Sequence, residues 1–209
     1  MSNYLLGLLL SIPGLVLALS MHEFAHGYAA YKMGDNTAKY SGRLSLNPLS
    51  HLDPIGTLCL FLFRFGWAKP VPINPYNFRS RRLGIITVSL AGPFMNFVLA
   101  LLCNVVIKLM AMFAPPGQLT VFFYMVIMSA ADLNVGLMCF NLIPIPPLDG
   151  SKVLLELLPY RYRDIFYQVE RYSSFILMAL LFTNVLSPVL GTMRSFVNTI
   201  IYSIIGLIF

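Results

Sequence analysis

LALSMHEFAHGYAAY, Leu17 to Tyr31, sets two histidines and a glutamate into a run that is otherwise apolar enough to dissolve in lipid. The run closes a longer apolar segment, about residues 4 to 31, and its reading decides the fold. Roughly 20 apolar residues cross a hydrocarbon core as a helix. Four further segments have this character, at about residues 83 to 113, 119 to 142, 166 to 186 and 193 to 209. None alternates in the manner of a barrel strand, so helices are expected throughout. With 58% hydrophobic and 11% charged residues, the chain lies far from the balance of a soluble domain. The expectation is an all-α polytopic membrane protein, a helical bundle of about five spans forming a single domain over residues 1–209.

The net charge of +6 comes from short loops rather than from a continuous basic stripe, which argues for membrane orientation and against nucleic acid. Lys32, Lys39, Arg43, Lys69, Arg79, Arg81 and Arg82 fall in one region and Arg161, Arg163 and Arg171 in another. Both regions are expected on the cytoplasmic side, which places the N-terminus outside and the C-terminus inside if residues 55 to 65 enter and return as a re-entrant or membrane-associated element. Residues 4 to 20 have no basic n-region before them and no small-residue cleavage site after them, and read as a permanent span rather than a secretory signal. Cys59, Cys103 and Cys139 stand alone in apolar surroundings and read as packing residues.

On a helix, positions i and i+4 share a face, so His22 and His26 can bind one ion through two ring nitrogens, with Glu23 beside its open side. A catalytic zinc takes three protein ligands and a water whose pKa falls to about 7, and a neighbouring carboxylate can accept that water's proton. Glu23 fits the base role. The plain alternative is a pair of polar residues hydrogen-bonded inside a bundle. Against it, a chain with three His and three Glu shows HExxH by chance on the order of once in a thousand shuffles, and ionisable groups in a span are costly.

A third ligand must arrive at the level of His22. Asp149 is favoured because NLIPIPPLDG, Asn141 to Gly150, is the one long break in an apolar segment, and broken backbone survives at membrane depth only where protein or a wet cavity satisfies it. Asp132 and Glu156 remain rivals. His51, Asp53 and Asp35 read as local loop, turn or cap residues. A metal or proton transporter, or a silent scaffold, could use the same residues.

HEFAH on the first span, GPFMN at Gly92 to Asn96, and NLIPIPPLDG in this order resemble the site-2 protease family of intramembrane zinc metalloproteases, in a short form without a PDZ or CBS domain. The resemblance implies one Zn2+ held by His22, His26 and Asp149, with Glu23 as general base. It also implies that Asn96 and Asn141 contact substrate, that a three-helix core carries the site, and that the substrates are transmembrane segments of other proteins in the lipid bilayer. The extended KPVPINP stretch, Lys69 to Pro75, is similar to the family's membrane-associated strand region and could pair with an unwound substrate.

Overall fold

The computed structural model describes residues 2–53, Gly56 and 68–209. Helix α1 (Ser2–Met33) carries HEFAH, α2 (Arg81–Phe113) carries GPFMN, and α3 (Gln118–Asn141) leads into the proline-rich break. Then come α4 (Asp149–Leu157), α5 (Arg163–Arg171), α6 (Ser173–Phe182) and α7 (Ser187–Ile208). Among the described residues, four helices are long and apolar enough to cross a membrane: α1, α2, α3 and α7. The protein is an all-α polytopic membrane protein, as its sequence leads one to expect.

Helices α1, α2 and α3 pack on one another as the core. Between lipid-soluble helices there is no hydrophobic drive to associate, so close backbone approach and polar contacts must hold them. Gly14 supplies the approach, since a Cβ there would lie 2.6 Å from the Cα of Ala130. A second cluster, built on Ala100, Val135, Cys139, Val197 and Ile201, seats α7 against α2 and α3. Cys139 is buried and Cys103 half-buried, in keeping with packing roles, while Cys59 lies outside the described residues.

The expected fourth span, residues 166 to 186, is divided. Its first part is the amphipathic α5, bearing Arg163, Asp164, Glu170 and Arg171; the backbone turns at Tyr172, and the apolar α6 has 10 residues, about 15 Å of rise. The last helix starts at Ser187 instead of residue 193. It runs antiparallel to α3: Leu186 and Leu190 pack by Ile143, whereas Arg194 reaches back to Asp132. Because α1 and α3 run parallel, with Gly14 at Ala130 and His22 at Asp149, the start of α1 and the end of α7 lie at the same end of the bundle. The five-span expectation places the two termini at opposite ends; α6, with 10 residues, is too short to cross on its own.

The re-entrant stretch expected at 55 to 65 lies, apart from Gly56, outside the described residues. Its flanks are joined by one isolated antiparallel bridge, Leu52 to Ala68, and by the Lys69 amide donating to the His51 carbonyl at 2.9 Å. His51 is fully buried, with Nε2 at 2.7 Å from the Ser45 carbonyl, and Asp53 accepts from the Gly56 amide at 2.7 Å. Both are local loop residues, as expected.

Asp35, just past α1, does more than cap a turn. It is fully buried and accepts hydrogen bonds from the Thr37 backbone and hydroxyl, the Asn74 amide and the Asn77 side chain. It thereby ties the far end of the segment 69–77, extended up to Asn74 and closed by a 3-10 turn at Pro75–Asn77, to α1. At the near end, Arg43 donates to the carbonyls of Lys69 and Pro70 at 2.6 and 3.3 Å. Burial alone would push the Asp35 carboxyl up, but the hydrogen bonds from Thr37, Asn74 and Asn77 outweigh it and hold the group below the usual carboxylate range. A depressed folded-state pKa adds stability that is complete above the ordinary carboxylate range, about 4, and is lost as pH falls through the lower folded value. The thermal midpoint of the wild type should therefore drop more steeply than that of Asp35→Asn between about pH 5 and pH 3. Parallel melting curves in detergent would show otherwise if the hub carried no stability.

Candidate active site

The converging side chains come from α1 and from the start of α4, against a wall formed by α2. From α1 come His22 and His26, one turn apart. At the start of α4, immediately after the proline break, Asp149 enters. Their Nε2 and Oδ2 atoms converge: His22 to His26 is 3.0 Å, His22 to Asp149 is 3.2 Å, and His26 to Asp149 is 3.1 Å. All three side chains are buried. Asp149, rather than Asp132 or Glu156, is thus the carboxylate brought to the histidines. Asp132 pairs with Arg194 across α3 and α7, and Glu156 faces Arg163.

The hydrogen-bond network decides which nitrogen of each ring carries a proton. His26 Nδ1 lies 2.7 Å from the Val88 carbonyl, an acceptor, so it must be the donor. The case of His22 takes two further steps. The Asn134 amide donates to the Ala130 carbonyl at 2.8 Å, which leaves its Oδ1 to accept from Asn96 at 2.8 Å. Asn96 also donates to the Ala18 carbonyl, so its own Oδ1 faces His22 Nδ1 at 2.6 Å and accepts there. Both Nε2 atoms are then bare lone pairs pointed at each other and at a carboxylate oxygen. With neutral rings there is no proton among the three atoms, an arrangement suited to a bound cation. Donors about 2.0–2.2 Å from a tetrahedral zinc lie roughly 3.3–3.5 Å apart, close to the spacings found. The donor set of two imidazoles and a carboxylate suits zinc.

Gly92 makes this geometry possible. A Cβ there would stand 2.5 Å from both His22 Cε1 and His26 Nε2, so the imidazoles nest against bare backbone of α2. The following residue, Pro93, removes the amide that would bind the Ser89 carbonyl, and Ser89 lines the same cavity.

That cavity, about 440 Å³, is bordered by the histidines, Glu23, Asp149, Asn141 and the extended segment from Pro70 to Pro75. Glu23 is half-buried and its Oε2 accepts the Val71 amide at 2.9 Å. Pro70 and Pro72 have no amide hydrogen, so Val71 is the donor available between them. Lys152 stands one turn beyond Asp149, its Nζ 3.2 Å from Oδ1, opposite the oxygen that faces the histidines.

The two asparagines implied as substrate contacts separate here. Asn141 borders the cavity, with its amide donating to the Leu137 carbonyl at 3.1 Å. Asn96 is fully buried, and its described hydrogen bonds go to His22, Ala18 and Asn134. The resemblance implies a substrate contact for Asn96; here enclosure among three helices turns its amide towards His22. Sequence reasoning missed Asn134, Gly92 and the Val71 amide. Asn134 was legible only as one more amide in an apolar span, and a partner on another helix is not encoded by spacing.

Breaking the amide chain should be felt at the metal. Asn134→Leu leaves an Asn96 donor unpaired and frees His22 to turn, and zinc affinity should fall about 10- to 100-fold. Gly92→Ala should cost at least as much, by displacing both rings. Competition with a chromophoric chelator reads both, and wild-type affinity in either variant would remove that residue from the site's support.

A family model described as Peptidase family M50 matches residues 106–184, the stretch holding Asn141 and Asp149. YwhC of Bacillus subtilis (strain 168), which bears a provisional zinc metalloprotease name, is 41% identical over 185 residues, 86% of this chain and 83% of its own. Rip2 of Mycolicibacterium smegmatis, named in the same way, is 31% identical over 185 residues, 86% of this chain and 69% of its own. Rip2 of Mycobacterium tuberculosis (strain H37Rv) is 31% identical over 149 residues, 68% of this chain and 55% of its own. No solved structure matches the chain significantly. The relatedness to YwhC extends over most of both proteins, and with it the chain belongs to peptidase family M50.

Proposed function

We propose that residues 1–209 act as one intramembrane zinc metalloprotease domain that hydrolyses peptide bonds in membrane-spanning segments of other proteins. The observation that carries this reading is the meeting of two imidazole nitrogens and a carboxylate oxygen in a cavity that also holds Glu23. His22, His26 and Asp149 hold the zinc. When bound, the ion supplies the charge that acidifies a water and polarises the scissile carbonyl.

The chain's own groups do the rest. The Val71 amide fixes one oxygen of Glu23, leaving Oε1 to take the proton of the attacking water and pass it to the departing amine. Asn96, held by Asn134, keeps the His22 ring in place. Asn141, on the cavity wall, is the amide that meets the substrate. One helical turn with its side chains occupies roughly the volume of this cavity, so a spanning helix cannot enter whole. A peptide carbonyl reaches Glu23 only where the substrate helix has opened locally, a step favoured by glycine and other weak helix formers.

The basic end of the bundle faces the cytoplasm by the excess of Lys and Arg in its loops, with the start of α1 outside. Since α7 runs back to that same end, its last residues face outside as well.

Glu23→Gln should keep about one zinc per chain while cleavage of a transmembrane test peptide falls about 100- to 10,000-fold. Asp149→Ala should lose both metal and cleavage. Metal analysis beside a cleavage assay separates the cases: cleavage retained in Glu23→Gln removes the assigned base, and ion flux without proteolysis in the wild type refutes the protease reading.

A further inference from the structure

A second cavity, of about 430 Å³, lies away from the histidines and brings together the two basic regions of the chain. Arg81 and Arg82 open α2, while Arg163 opens α5; Glu156, Tyr160 and Leu157 complete the wall. Against three guanidinium groups stands one carboxylate among the described residues that line it. Glu156 is held by Arg163 at 3.4 Å, and no described ion pair involves Arg81 or Arg82. The Nε of Arg163 is buried and has no hydrogen-bond partner.

Two further observations show what kind of ligand is missing. The first turn of the 33-residue α2 contains no acidic residue, and Ser80 makes no side-chain cap, so helix-end amides add to the positive field. Arg81 lies 5.1 Å from the Tyr76 ring and Arg163 lies 4.6 Å from the Tyr160 ring, and both tyrosines are more than 80% exposed. An exposed tyrosine beside the end of a spanning helix marks the headgroup level of a bilayer, and Tyr76 stands just before α2. Leu157 and Leu158 also border the cavity, and Leu157 is exposed.

We propose that this cavity binds the phosphate of an anionic phospholipid headgroup. Guanidinium forks match phosphate oxygens two at a time, which a zwitterionic headgroup with its own ammonium satisfies less well. Free phosphate shares the chemistry, but the headgroup level and the exposed Leu157 beside the cavity favour the lipid. A bound headgroup bridges the start of α2 to the far end of α4. These are the helices that carry Gly92 and Asn96 on one side and Asp149 on the other, so the lipid braces the catalytic helices from outside the catalytic cavity. The site stands whether or not the chain cleaves peptides.

The test uses the full chain in detergent, delipidated and titrated with phosphatidylglycerol or phosphatidylcholine, with bound lipid counted by native mass spectrometry. The wild type should hold one phosphatidylglycerol in preference to phosphatidylcholine, and Arg82→Gln with Arg163→Gln should weaken it at least about tenfold. Arg161→Gln, outside the cavity, removes the same charge and should leave binding unchanged, while retained zinc reports a folded variant. Should the double variant fail to fold, Arg82→Gln alone, at an exposed position, carries the test. Displacement of the lipid by inorganic phosphate supports the phosphate chemistry. Inorganic phosphate bound with no preference for phosphatidylglycerol over phosphatidylcholine overturns the lipid assignment. Equal retention in wild type and double variant, or an equal loss in Arg161→Gln, overturns the site.

Discussion

Two ring nitrogens and a carboxylate oxygen converge within about 3 Å of one another inside the bundle, and with neutral rings their lone pairs repel unless a cation sits among them. Much of the described architecture can be traced to this cluster. The proline break delivers Asp149 to the level of the histidines, Gly92 removes the side chain that would occupy the same space, and the Asn96–Asn134 pair fixes the ring that has no backbone carbonyl of its own. His26 is fixed more simply, by the Val88 carbonyl. The two imidazoles are therefore oriented by different helices, α2 alone for one and α2 with α3 for the other.

This division explains why a three-helix core is the minimum. In lipid the helices gain little by hiding apolar surface from each other, and polar contacts between them are correspondingly selective. The chain from Ala130 through Asn134 and Asn96 to His22 crosses all three helices, and Gly14 against Ala130 brings α1 and α3 close enough for it to close. The same bonds that hold the bundle hold the His22 ring, so packing and the geometry of the candidate site are not separable in this part of the molecule.

The chemistry of the site was largely legible in the sequence because its residues are expensive where they stand. HEFAH and Asp149 interrupt lipid-soluble runs, and such interruptions need a reason. What could not be read were relationships between helices. Asn96 looks the same in sequence whether it meets a substrate or a histidine, and Asn134 looks like any interhelical amide. The division of residues 166 to 186 was obscured because apolar content was averaged across a charged amphipathic helix and a short apolar one. Spacing reports a residue's face on its own helix; it does not report the angle at which the next helix arrives.

The segment from Lys69 to Asn77 is anchored at each end, by Arg43 on one side and Asp35 on the other, with its middle fastened to the glutamate through the Val71 amide. The carboxylate of Glu23 is thus moored to a strip of chain that is itself tethered at both ends, so a displacement of that strip would be transmitted to it.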